Sequence, residues 1–195
     1  LVLAGLYKFC FEVLRDSANG RLEPPEGGLG IRESVGWNAI GMQLVLFLLC
    51  FGSFVFGGFF LGILVTALVL LALPGVWMSF AMDGSFSHAL NPSTWIEVMT
   101  RIPGAYFSAY ALMILIAFCE FVAKSLLEGL LPGVIAVPLM FFISGYAMVA
   151  CFHLMGYVIY QYQDVLGYEP EEVGALKRPE DIDQEMIDDA AALVQ

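Results

Sequence analysis

Charge is scarce in this chain. Of its 195 residues, 14% are Asp, Glu, Lys or Arg and 59% are hydrophobic, where a soluble domain carries about 25% and about 45–50%. The deficit is concentrated: from Gly36 to Met82 there is no Asp, Glu, Lys, Arg or His. That pattern excludes an ordinary soluble domain and reads as membrane-embedded. Basic residues are scarcer still, 8 against 19 acidic ones, and the excess of acid lies mostly in the C-terminal tail, which gains nothing from nucleic acid or anionic lipid. Histidine occurs twice, at His88 and His153, and the four cysteines (Cys10, Cys50, Cys119, Cys151) form no CxxC pair. Neither a disulfide framework nor a zinc site fits this spacing, and the cysteines read as small packing residues. No phosphate-binding loop, nucleophile elbow or dinucleotide fingerprint occurs, and Gly27-Gly28-Leu29-Gly30 lacks the strand–helix context such a fingerprint needs. No catalytic residue, cofactor or metal is expected.

What is present is a series of apolar blocks. One spanning helix needs roughly 20 residues, so the stretch from Gly36 holds two, broken at Gly57-Gly58 into about 36–56 and 59–81. Pro74 falls in the second and kinks it unless a neighbour satisfies the freed backbone. A third span runs over about 103–121 and a fourth over about 134–157, with Pro138 in its first turns and Tyr157, Tyr160 and Tyr162 at its end. Lys124 and Glu128 mark the turn between them. Residues 1–18 read as a helix leaving a membrane, with 1–11 as the inner end of a preceding span, closed by Gly20, and 20–35 as a polar loop. Asn91-Pro92 is a helix start. It predicts an amphipathic helix over about 92–102, lying in the interface with Trp95 at headgroup level and Ile96, Met99 and Ile102 on its apolar side. The expected fold is thus an all-α polytopic transmembrane bundle over 1–162: four complete spans, the inner end of another helix and one interfacial helix.

The net charge of -11 is carried mostly by the C-terminal tail, where ten acidic residues follow from Asp164 onward against Lys177 and Arg178. Residues 163–195 form an acidic tail with an amphipathic helix from about 180, whose apolar face needs a partner. Alternating the segments puts Lys8, Arg15, Arg21, Arg32, Arg101, Lys177 and Arg178 on one side and Lys124 alone on the other. By the positive-inside bias the first side, with the tail, is cytoplasmic. The chain opens in an apolar run without an initiator Met, and a further spanning helix is expected before residue 1.

Few polar groups stand inside the blocks. Glu120 is costly in a membrane and such acids often mark ion paths, but Lys124 lies one turn on, and an i,i+4 pair near the outer interface is the plainer reading. His153 reads as a hydrogen-bonded packing histidine and His88 as a solvated loop residue; Glu120, Lys124 and His153 are the candidate intramembrane polar site. Gly58 and Gly62 form a GxxxG, a candidate helix–helix contact. Gln43, Ser53 and Ser144 could bond across helices or line a polar path.

Gly5-Leu6-Tyr7, Val13-Leu14-Arg15, Ser17-Ala18-Asn19-Gly20 and Pro24-Pro25-Glu26 resemble the way a family of bacterial multi-pass membrane proteins leaves its first helix. Gly84-Ser85-Phe86 through Asn91-Pro92, and His153-Leu154-Met155-Gly156, are similar in character to that family's later segments. The family is catalogued as a domain of unknown function. The resemblance, over roughly residues 1–160, implies a helical bundle and transfers no catalytic residue.

Three functions compete. The first is a non-enzymatic component of a bacterial inner membrane that scaffolds a complex, with lipid around it and protein partners in the membrane or on the tail. The second is a transporter or lipid-handling protein, motivated by proline-interrupted, Gly-rich spans. The third, a membrane enzyme, needs a convergent polar cluster.

Overall fold

The computed structural model describes residues 2–21 and 34–168. The predicted tail helix from about 180, most of the 20–35 loop, Arg32, Lys177 and Arg178 lie outside them. The described residues form seven helices and no strand: α1 (Val2–Ala18), α2 (Ser34–Asp83), α3 (Phe86–Ala89), α4 (Pro92–Arg101), α5 (Pro103–Leu130), α6 (Gly133–Gln161) and α7 (Gln163–Leu166). Three of them, α2, α5 and α6, are long and apolar enough to cross a membrane.

α2 is two helices meeting at a kink. Gly58 has φ 76° and ψ -178°, a conformation that glycine alone adopts without strain. The turn is sharp, since a Cβ placed on Gly62 would overlap the ring of Phe54, which a straight helix would hold far away. Gln43 in the first arm and Leu73 and Trp77 in the second line one cavity, so the arms run side by side. Gly58 itself has open space around it. It makes the turn rather than a helix contact, and only Gly62 of the GxxxG acts as a packing residue.

α1 sits at the centre, wedged between α2 and α6. Two glycines permit this. A Cβ on Gly36 would overlap the Ala4 carbonyl, and one on Gly156 would overlap the Leu14 carbonyl and lie 2.6 Å from Ser17 Cβ, so backbones touch where side chains are missing. Phe11 fills the resulting core, its ring centroid 5.5 Å from Trp77 and 5.1 Å from both Phe80 and Phe152. Such edge contacts add about 0.5–1.5 kcal/mol each beyond area burial. α1 ends in a Schellman motif: Gly20, at φ 76°, donates to Ser17 O, and Arg21 N–H donates to Asp16 O at 2.8 Å.

Other boundaries depart from expectation. α5 does not stop at 121. Lys124 and Glu128 lie within it, and the turn falls at Leu131-Pro132, where Leu131 leaves the helix at φ -119°, ψ 146°, the extended conformation required before proline. α6 reaches Gln161 rather than 157. α3 and α7, each four residues long, were not anticipated; segments so short leave no periodic pattern. α4 starts as expected, Asn91 Oδ1 accepting from Ser93 N–H at 3.1 Å. Its buried residue is Val98, with Trp95 and Met99 half-buried, while Ile96 is exposed.

Burial is confined to one end of the bundle. Between Leu46 and Ala72 only Gly62 is buried, and between Ala109 and Ala147 only Ala136. Around the α2 turn, Phe56 is 92% and Phe60 87% exposed.

Candidate functional site

α5 packs along α6 and against α4, with no extended contact to α2. The two diverge from a pivot at the base of α5. There Tyr106, fully buried, accepts from Gly75 N–H at 3.2 Å and donates to Leu71 O at 2.6 Å. Gly75 N–H and Leu71 O are partners i and i-4 in a regular helix, so the hydroxyl is inserted into the rung next to Pro74. Pro74 removes a donor and its ring crowds the preceding turn. The tyrosine restores both backbone groups, the side-chain rescue a kinked membrane helix requires. Gly75 also admits Trp95, whose Cβ would lie 3.0 Å from a Cβ placed there. Trp95 is therefore a packing residue against the kink.

Above this pivot, α1, α2, α5 and α6 enclose a partly open cleft of about 250 Å³. Its walls are apolar: Leu73, Trp77, Met113, Ile116, Met148 and Phe152 among them. One end is polar. Glu120 takes Lys124 Nζ at 2.6 Å and accepts from Ser144 Oγ at 2.8 Å. Gln43 and Tyr7 stand on the cleft's other walls. Because α5 continues to Leu130, Glu120 is about 15 Å of helix short of its end, deeper than a span ending at 121 would put it. The expected i,i+4 pair is present, and Ser144 does bond across helices. Ser53 instead donates to Cys50 O of its own helix at 2.7 Å.

His153 does not join Glu120 and Lys124. It faces α1, with Nδ1 2.7 Å from Ser17 Oγ. The Ser17 hydroxyl proton goes to Val13 O at 2.7 Å, so His153 donates from Nδ1. Cys151, two residues away on another helix face, lines the cleft. The three-residue polar site therefore divides into a Glu120–Lys124–Ser144 cluster and a separate Ser17–His153 tie between α1 and α6.

A second cup of about 290 Å³ lies where α2, α3, α4 and α7 meet, lined by Asp83, His88, Thr94, Glu97, Arg101 and Tyr168 among others. His88 Nδ1 is 2.7 Å from Asp83 Oδ2, and Thr94 Oγ1 donates to the His88 carbonyl at 3.0 Å. Arg101 pairs with Glu97 and donates to Val165 O at 3.1 Å. His88 is thus a solvent-exposed residue of α3, hydrogen-bonded to Asp83 across the α2–α3 junction. Both pairs are solvent-exposed, where such contacts contribute about 0–1 kcal/mol. Among the described residues no group of three or more His, Cys, Asp or Glu could hold a metal ion.

Sequence reasoning missed Tyr106, Ser17, Gly36 and Gly156. Tyr106 carried a partial signal, a tyrosine just inside a span, but a belt residue and a kink wedge look alike until α2 is in place. No curated protein and no solved structure matches the chain. A family model does match, over residues 27–132. That segment includes the Gly84 to Pro92 stretch, the whole of α2, α4 and α5, and the Glu120–Lys124 pair. The stretches at 5–26 and 153–156 lie outside it. The chain belongs to a family described as protein of unknown function, DUF4013.

Proposed function

We propose that this chain is a non-enzymatic scaffold of a bacterial inner membrane, with four spans that anchor partner proteins in the bilayer. The two arms of α2, about 34–57 and 59–83, count as separate spans beside α5 and α6, with α4 lying in the interface. The base of the bundle and the acidic tail face the cytoplasm, following the positive-inside bias. The observation that carries the reading is the uneven burial. One end is packed around α1, while the outer halves of the α2 hairpin and of α5–α6 keep nearly every side chain on the surface. Membrane helices associate through close-packed faces, and these outer halves leave such faces free for other helices.

The test is purification from native membranes in a mild detergent, followed by blue-native electrophoresis. A species larger than the monomer, with defined co-purifying proteins, is expected. Substituting exposed outer positions, Leu64→Trp or Leu115→Trp, is expected to dissociate it without unfolding the chain. A monomer with no companion protein rejects the scaffold. A second reading, lipid handling or transport, is favoured by the cleft between α2 and α5.

A further inference from the structure

The cleft has a definite polarity along the bundle. Its walls are mostly apolar from Leu73 and Trp77 past Met148 and Met113, with Gln43 and Tyr7 among them, and Glu120 and Ser144 line one end, with Lys124 paired to Glu120 beside the lining. On α6 the lining runs from Ser144 to Met155, about 16 Å of helix. Its long sides are α2 and α5, which do not pack along each other, so the seam between them faces whatever surrounds the bundle. At about 250 Å³ it is smaller than the roughly 300–1,000 Å³ typical of a drug-sized ligand, and its length suits one slender chain. Left void, it would cost its lining the dispersion contacts that a packed interior provides. Water is a poor filler for walls this apolar. Methionines at 113, 148 and 155 supply flexible, polarizable surface that accommodates a chain without fixed shape.

The polar end identifies the headgroup. Glu120 and Lys124 are adjacent opposite charges, neutral as a pair. An anionic headgroup would have to displace Glu120 from Lys124 and leave the carboxylate without a counter-charge, held by the Ser144 hydroxyl alone. A headgroup with both a primary ammonium and a phosphate satisfies both: the ammonium donates to Glu120, and the phosphate accepts from Lys124 Nζ and Ser144 Oγ. We propose that the α2–α5 cleft binds one acyl chain of a phosphatidylethanolamine-type phospholipid, with its headgroup on Glu120, Lys124 and Ser144. The proposal rests on the reading of the chain as a membrane bundle and is independent of whether the bundle scaffolds partners.

Trp77 provides the test, because it lines the cleft yet is only 3% exposed, so a bulk lipid chain reaches it only by entering. The full chain carrying Trp37→Phe and Trp95→Phe keeps Trp77 as its single tryptophan. It is reconstituted into phosphatidylcholine vesicles doped with acyl-brominated phosphatidylethanolamine or phosphatidylglycerol, and Trp77 fluorescence is followed. Quenching is expected to saturate at low mole fraction with the ethanolamine lipid and to need about tenfold more of the glycerol lipid, the scale of one charge-assisted hydrogen bond. Ala117→Phe, placed on the exposed lip of the cleft, is expected to abolish the saturable component. Glu120→Gln leaves Lys124 an unpaired cation and is expected to invert the preference toward the anionic lipid. Quenching that rises in simple proportion to mole fraction, or is equal for both headgroups, or is unchanged by Ala117→Phe, overturns the proposal. Flotation of the same vesicles is the control: protein that fails to float rejects membrane insertion itself.

Discussion

Tyr106 does at one atom what the sequence around Pro74 leaves undone. Its hydroxyl serves Gly75 N–H and Leu71 O together. Tyr106→Phe keeps the ring and removes the bridge. It is expected to lower stability by about 1–3 kcal/mol, the cost of stranded buried polar groups, read as a fall in thermal midpoint in detergent. Pro74→Ala restores the missing donor at that turn, so the same tyrosine substitution is expected to cost less in its background; equal costs in both would show that the hydroxyl does not serve the kink. Asp16, at the end of α1, belongs to the same scale. Burial holds its carboxyl above the usual carboxylate range, with Arg21 and Arg15 opposing the shift. Because the folded state binds the proton more tightly than the unfolded one, stability is expected to rise as pH falls through the carboxylate range. Asp16→Asn should abolish that part of the pH profile and raise the thermal midpoint at neutral pH. The residue scale is where sequence says least: Glu120 and Lys124 could be paired by spacing alone, but Ser144 and Ser17 could not be assigned partners 24 and 136 positions away.

At the scale of elements, two glycines with different duties separate conformation from packing. Gly58 has φ 76° and open space around it, so Gly58→Ala meets only backbone strain, about 1–3 kcal/mol. Gly156 is helical, and there the neighbour is the α1 backbone. Gly156→Val is expected to push α1 off α6, breaking the Ser17–His153 bond and loosening the Phe11 core. It should cost several times more than Gly58→Ala, and protease sensitivity at the α1 end should appear only in the valine variant. A larger loss at Gly58 would mean that the turn, not α1, organises the bundle. The GxxxG spacing was visible in sequence, but spacing alone cannot tell a turn glycine from a contact glycine. The end of α5 was misplaced for a related reason: Lys124 and Glu128 resemble a water-facing turn, yet charge does not stop a helix. The extended Leu131 before Pro132 does.

At the scale of the molecule, the arrangement places α1 centrally, the α2 hairpin on one side and α5–α6 on the other, with the cleft where these two diverge. The topology reading is open to cysteine labelling on a background free of native cysteines. Single cysteines at Ser87 and Gly129 are expected to react with a membrane-impermeant reagent from opposite sides, Gly129 in intact cells and Ser87 only after permeabilisation. Reaction of both from one side would reject the orientation drawn from the Lys and Arg distribution.

The sequence by itself determined the class of the protein. From Gly36 to Met82 there is no Asp, Glu, Lys, Arg or His and the stretch is long and apolar enough to cross a membrane, glycine pairs and prolines punctuate the helices, and Asn91-Pro92 starts one. These are local or compositional signals, set by transfer free energy and backbone sterics, and they survive without knowledge of neighbours. The tertiary structure alone decided that α1 is the central core helix, that Tyr106 completes the Pro74 kink, that His153 parts company with Glu120, and that α2 and α5 diverge to leave a cleft. Each depends on which helices touch. In a bilayer many apolar faces are equally acceptable to lipid, so hydrophobicity does not choose among them; contact geometry at a few small residues does.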